Sequence, residues 1–271
     1  MMPAGRHRGH RARSAVWRIA TATLAVLAVL SFALPAAAGH DHRCETIRFE
    51  ETPFTLCRVR SGDDLRLFLD GEDGEAYGSF ARIDAALADA GEALVFAMNA
   101  GMYHPDRQPV GLYVENGTQR SALVTREGPG NFGMLPNGVF CVRGDGFAVI
   151  ESRAFAQAPP DCRFATQSGP MLVIDGALHP RFLPDSNSAL IRNGVGTNTD
   201  GDRAVFVIAD QPVTFHRFAR LFRDHLDLPQ ALYFDGNVSR LHAPGIGRSD
   251  WGRPMGPVVG LVAPAGAAEG S

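Results

Sequence analysis

The sequence predicts an α+β fold: one domain of mixed or antiparallel β-sheets with helices packed on the outside. Three observations predict it. Short β-type runs outnumber helical ones, two well-capped helices stand apart from them, and strands and helices do not alternate regularly as a parallel α/β sheet would require. The β-type runs occupy 54–60, 65–69, 93–98, 111–115, 138–142, 147–150, 171–174, 204–208, 231–234 and 258–262. Ser79 can cap a helix to residue 90, with Phe80, Ile83, Leu87 and Ala90 on one face. Thr214 can cap a second, with Phe215, Phe218, Phe222 and Leu226 at the same spacing. There is no internal repeat and no linker. The domain is expected over 39–262, with 263–271 as a disordered tail.

The first 38 residues read as an export signal. Arg6, Arg8, Arg11, Arg13 and Arg18 form a basic start, 20–34 an apolar centre, and Ala36 to Ala38 a small-residue cleavage site. The apolar run is shorter than the roughly 20 residues of a spanning helix. A protein cleaved there keeps no stable membrane anchor, and the expected location is periplasmic or secreted. Removal of the leader leaves 233 residues, ample for one core, and moves the formal charge from −3 to −8. An acidic chain without a dense basic run argues against nucleic acid as a partner.

The chain contains no lysine. That excludes phosphate-loop ATPases, Schiff-base enzymes and Ser-Lys hydrolases, which need an amine at a fixed position. Fixed side-chain cations are therefore arginines, suited to bidentate contact with carboxylate or phosphate. Four cysteines in the mature part of an exported chain read as two disulfides. Cys44–Cys57 would close an N-terminal hairpin, and Cys141–Cys162 would clip the excursion after the 138–142 strand. There is no CxxC, no GxSxG and no HExxH. Asn198, Asp200 and Asp202 sit between two β-type runs and suit a hairpin turn, so neither metal nor cofactor is expected.

Four segments repeat one arrangement, in which a short apolar run adjoins a small polar residue beside glycine. They are FAMNAGMYHPDRQP (96–109) leading into GLYVENG (111–117), PNGVF (136–140), QSGPMLVIDG (167–176) and ALYFDGNVS (231–239). Such residues are held on rigid elements yet stand at loop mouths, where binding groups concentrate, and the same residues also suit ordinary turns. Asp235 follows ALYF at a strand end. Asp175 follows MLVI in the same way, but Asp-Gly is also a common tight turn. Arg192 lies among apolar and small residues, where a charge needs either an anionic ligand or a structural partner. Asn99, Asn137 and Asn193 can hydrogen-bond sugar hydroxyls.

These motifs, in this order and with RNGVG (192–196) between them, resemble the phosphodiester glycosidase family, formerly a domain of unknown function. That family includes the animal "uncovering" enzyme of lysosomal targeting. The resemblance runs from Cys44 to Val262 and is strongest to bacterial exported members, whose CETIRFEETPFTLC opening and YGSFARI helix start it shares. It implies an α+β fold with the motif loops gathered in one cleft. For the animal enzyme it implies release of N-acetylglucosamine from a sugar phosphodiester. One departure is Asn237, where the animal enzyme has a second glycine.

The implied reaction breaks the bond between a sugar C1 and a phosphodiester oxygen. The phosphomonoester released has a second pKa of about 6, so it leaves without strong acid assistance. One carboxylate and one phosphate-holding arginine then suffice. Asp235 is expected as nucleophile or base, Arg192 as the phosphate clamp and Asp175 as the reserve carboxylate. Asn99, Met102, Asn137, Ser168, Asn193 and Ser239 are expected to position the sugar, and Gly101, Gly138, Gly169 and Gly236 to allow its close approach. The expected partner is a small or polymeric glycan phosphodiester. Two rival readings use the same residues: a non-catalytic module for envelope glycans or glycerophosphate polymers, and a conventional glycosidase with Glu115 as its second acid.

Overall fold

The computed structural model describes residues 43–268, so the expected leader (1–38) and the final residues 269–271 lie outside the described residues. Strands β1 (Cys44–Phe49) and β2 (Thr52–Arg60) form a hairpin, followed by β3 (Leu65–Phe68), helix α1 (Phe80–Ala88) and β4 (Glu92–Asn99). Next come β5 (Tyr113–Glu115), β6 (Thr118–Ser121), β7 (Gly138–Val142), β8 (Phe147–Glu151) and α2 (Ser152–Gln157). The chain continues through β9 (Phe164–Ser168), β10 (Met171–Ile174), β11 (Ala177–Leu178), β12 (Asn193–Thr197) and β13 (Arg203–Ala209). After α3 (Phe215–Arg220) and a π-helical turn, Leu221–His225, come β14 (Gln230–Asp235), β15 (Leu241–Ala243), β16 (Arg248–Ser249), β17 (Val258–Pro264) and α4 (Ala265–Ala268). The expected tail at 263 is thus corrected: β17 runs to Pro264 because it pairs with β4 as far as Glu92, and a helical turn follows.

Three sheets surround one central core. Their orders are β1-β2-β13-β12-β14-β10-β11, β16-β15-β4-β17-β3 and β6-β5-β9-β7-β8. Every ladder among the described residues is antiparallel. Strand alternation builds the layers. On β13, Ala204, Phe206 and Ile208 face the central core, while Val205, Val207 and Ala209 face the opposite side. On β14, Leu232 and Phe234 face inward, and Ala231 and Tyr233 outward.

Each outer face is then covered by a helix. Phe218 and Phe222 of α3 and the π turn cover the first sheet, and Phe80, Ile83 and Leu87 of α1 the second. Phe155 of α2 and the Cys141–Cys162 pair cover the third. Both expected caps are present: the Ser79 and Thr214 hydroxyls accept from the amides of Arg82 and Arg217, each at 3.3 Å. Helix α2 carried too short an apolar stripe to be expected from sequence. It starts because the Glu151 carboxylate accepts from two amides of its first turn.

Both expected disulfides form. Cys44 stands directly opposite Cys57 in the hairpin, and Cys141 joins the segment before β9. The second bridge closes a loop through β8 and α2 with a sequence separation of 21. A Cys141→Ser/Cys162→Ser protein is expected to lose about 3 kcal/mol. Urea unfolding of the variant against the oxidised parent measures it. A midpoint unchanged by the double substitution would assign no stabilising role to the bridge.

Candidate active site

The site is built at the end of β14, where the chain leaves the first sheet. The Asp235 amide donates to Asn193 Oδ1 at 3.1 Å, and the Gly236 and Asn237 amides donate to Asp235 Oδ1 at 2.6 and 2.9 Å. One carboxylate oxygen is therefore held by the turn's own backbone. Gly236 is required there because the Tyr233 hydroxyl occupies its side-chain position, 2.2 Å from where a Cβ would fall. The Ser239 hydroxyl, 2.9 Å from both the Ile191 and Asp235 carbonyls, ties the far side of the turn.

Below the turn lies a buried amide pair. Asn193, on the first sheet, donates to the Asn99 carbonyl and to Asn99 Oδ1, both at 2.9 Å, and Asn99 closes the second sheet's β4. Asn99 Oδ1 also accepts the Arg240 amide at 2.9 Å. Both asparagines are fully buried. The two amides expected to bind sugar are engaged by protein instead: both side-chain oxygens accept from the 235–240 turn, and both nitrogens bond within the pair.

Other expected contacts are redirected in the same way. Asn137 donates to the Phe132 carbonyl at 2.9 Å, and Ser168 to the Phe234 carbonyl at 2.8 Å; both are fully buried. Gly138 and Gly169 admit protein rather than ligand: a Cβ at Gly169 would fall 2.4 Å from Asn137 Cβ, and one at Gly138 would press on Ile150 and Met171. Gly101 adopts φ +146° beside Thr166, a conformation that favours glycine. Asp175 is an exposed turn residue at φ +47° that accepts from Gln230, at the opposite end of β14 from Asp235. Five residues of strand, roughly 17 Å, separate those ends. Asp175 is no reserve for Asp235.

Arg192 is also not where the sequence suggested. It is fully buried; its Nε donates to the Val213 carbonyl at 2.8 Å and its Nη2 to the Ser188 carbonyl at 3.0 Å. Its guanidinium lies 3.6 Å from the Phe215 ring centroid and 3.4 Å from the Tyr233 hydroxyl. Cation–π contact and carbonyls replace the acid partner that a buried charge usually needs. Arg192 supports the cleft from beneath, through Tyr233, and does not line it.

The cleft itself is a cavity of about 530 Å³ with Asp235 in its wall. Of the expected residues only Asp235 and Met102 line it. Sequence reading missed Tyr103, Asn131, Phe132 and Val238, and Asn237, named above as a departure from the animal motif, lines the cavity as well. Asp235 is 8% exposed, and burial raises its pKa above the ordinary aspartate value, against the lowering pull of the turn amides. It is the only carboxylate among the described residues that line the cavity. Glu115 lies elsewhere, paired with Arg120 at 2.9 Å.

Cations gather around Tyr103. The pKa of Tyr103 is raised first by burial and then by the charge of Asp235, while Arg107, Arg240 and Arg253 pull it down. One carboxylate and three arginines thus act on a single hydroxyl. The placement of Arg240 between Ser239 and an apolar strand was the signal that could have revealed it, since the same reasoning singled out Arg192.

A model of the phosphodiester glycosidase family matches residues 92–254, a span that includes Asn99, Tyr103, Asp235 and Arg240. The chain belongs to the phosphodiester glycosidase family. The uncharacterized protein YigE of Escherichia coli (strain K12) is 39% identical over 189 residues, covering 70% of this chain and 73% of that protein. The fold is similar to the zebrafish N-acetylglucosamine-1-phosphodiester alpha-N-acetylglucosaminidase catalytic domain, solved auto-inhibited by its pro-peptide. That match has a TM-score of 0.53 at 14% identity and covers 80% of this chain and 81% of that one.

Arg192→Leu is expected to cost on the order of 3 kcal/mol, because it removes the guanidinium's hydrogen bonds to the Val213 and Ser188 carbonyls and its ring contact with Phe215. Urea unfolding measures this. A variant as stable as the parent that has lost only its preference for phosphodiesters over neutral glycosides would return Arg192 to the role of phosphate clamp.

Proposed function

We propose that this protein is an exported hydrolase that cleaves the C1–O bond of a sugar-1-phosphodiester. The observation that carries the reading is a lone carboxylate in a largely apolar cleft, one wall of which is Tyr103, with Arg107 stacked over its ring at 5.5 Å and the charges of Arg240 and Arg253 felt at its hydroxyl. A conventional glycosidase needs a second carboxyl group across the bond to protonate a poor leaving group. A phosphomonoester needs no such acid, and a monoanionic diester is drawn to the arginine side. Membership of the phosphodiester glycosidase family supports the same chemistry. Export is supported by the leader and by two disulfides, which persist in oxidising compartments.

In this reading the sugar enters the cavity with C1 toward Asp235. The carboxylate either attacks C1 or takes the proton of a water that does. The C1–O bond breaks, its electron pair leaves with the phosphate oxygen, and water supplies the hydroxyl on C1. The Gly236 and Asn237 amides keep the carboxylate in one orientation throughout, which is where the rigidity of the turn becomes catalytic. The substrate is a glycan phosphodiester, small or polymeric, and nucleic acid is not a partner.

Asp235 acts ionised, so burial sets the acid limb. Because its folded pKa is raised, kcat/KM is expected to rise with pH through a limb displaced above the ordinary aspartate value, and to be lost below it. Asp235→Asn should lower turnover about a hundredfold or more while the melting temperature changes little, since the amide oxygen can still accept from the turn. The assay is release of sugar and phosphomonoester from a sugar-1-phosphodiester, with sugar-1-phosphates and p-nitrophenyl glycosides as comparison substrates. Parent-like turnover in folded Asp235→Asn protein refutes the assignment. Diester binding without any cleavage by the parent would favour the binding-module reading.

A further inference from the structure

A second groove of about 710 Å³ opens on the other side of the same turn. Asn237 and Val238 line the Asp235 cleft, and the next two residues, Ser239 and Arg240, line this groove, so the turn forms the ridge between them. Arg240 is 9% exposed, and no carboxylate among the described residues bonds its guanidinium. The groove's two acids are engaged otherwise. Asp250 accepts from Arg248 and from the Leu241 amide, and Asp210 from Arg248 and Thr55. Burial lowers the pKa of Arg240, which marks its charge as poorly compensated.

Gly252 roofs the guanidinium so closely that a Cβ there would lie 2.6 Å from Nη2. Next to it Trp251 is 90% exposed, a large ring face left in water at the lip of the groove. We propose that Arg240 binds the phosphate of the substrate at the ridge and that Trp251 stacks against a second sugar esterified on its far side. This rests on the diester reading above and names the half of the substrate that leaves. A phosphate on the ridge stands between the Asp235 cleft and the groove, because the turn that carries Arg240 lines both. An indole face beside polar side chains suits a pyranose, whose C–H face is apolar and whose hydroxyls point outward. Of the two sources of anion available, the arginine alone would accept free phosphate, and the indole selects for a sugar phosphate.

The chain has two tryptophans, Trp17 and Trp251, so in full-length Trp17→Phe protein the indole emission reports Trp251 alone. Glucose 6-phosphate, glycerol 3-phosphate, inorganic phosphate and glucose are titrated against it. The expected result is a saturable change with glucose 6-phosphate, binding at least about fivefold tighter than glycerol 3-phosphate, and none with glucose. Arg240→Leu should weaken glucose 6-phosphate about tenfold or more, and Arg240→Lys less, which covers the case of a poorly folded leucine variant. No change with any phosphate up to about 10 mM overturns the proposal. So does a folded Arg240→Leu protein that binds like the parent, or an emission change set by protein concentration alone, which would assign Trp251 to self-association. If glucose 6-phosphate binds as expected but no diester is hydrolysed, the catalytic reading fails and the subsite stands. If diesters are hydrolysed with the same kcat/KM after Arg240→Leu, the subsite fails and the catalytic reading stands.

Discussion

The amide pair Asn99–Asn193 is the contact on which the site depends. It joins the end of β4 in one sheet to the start of β12 in another, and it holds both flanks of the 235–240 turn through the Asp235 and Arg240 amides. Neither sheet alone could place that turn, because a strand end has freedom that only a second fixed point removes. Buried amides do this well, since each unsatisfied group inside would cost about 1–3 kcal/mol and the alternatives are correspondingly excluded. Apolar contacts of the same area would stabilise the sheets without fixing the turn's register.

What the turn holds explains the electrostatics. Asp235 is paired with backbone amides rather than with a cation, so its charge remains available to a ligand while its position is set. Three arginines act on Tyr103, and the two acids that share a groove with one of them, Arg240, are bound to Arg248. The site thus brings one negative group and several positive ones to bear on Tyr103.

Beneath the cleft, Arg192 and the rings of Phe215 and Tyr233 form a second support. The guanidinium lies against Phe215, and Phe215 meets Tyr233 edge-on with centroids 4.7 Å apart. Helix α3 therefore does more than cover the first sheet, because Phe215 from its first turn sits under the strand that presents Asp235.

The sequence by itself determined the fold class, the two capped helices, both disulfide pairs and Asp235 at a strand end. Each is local or pairwise: alternation needs a few residues, a cap needs one hydroxyl, and a hairpin brings Cys44 opposite Cys57 whatever lies around it. Short strands such as β12 and β15 escaped notice because Asn193, Gly194 and Gly196 are poor β formers, and their neighbours in the sheet decide the matter. Only the tertiary structure decided which polar residues face a ligand. Asn99, Ser168 and Arg192 look like binding groups in one dimension, yet each finds its partner in a segment distant in sequence, and Asn137 is taken up by the loop just before it. Arg240 looks no different from them, but its nearest acids are already bound elsewhere, and that competition exists only once the chain has folded.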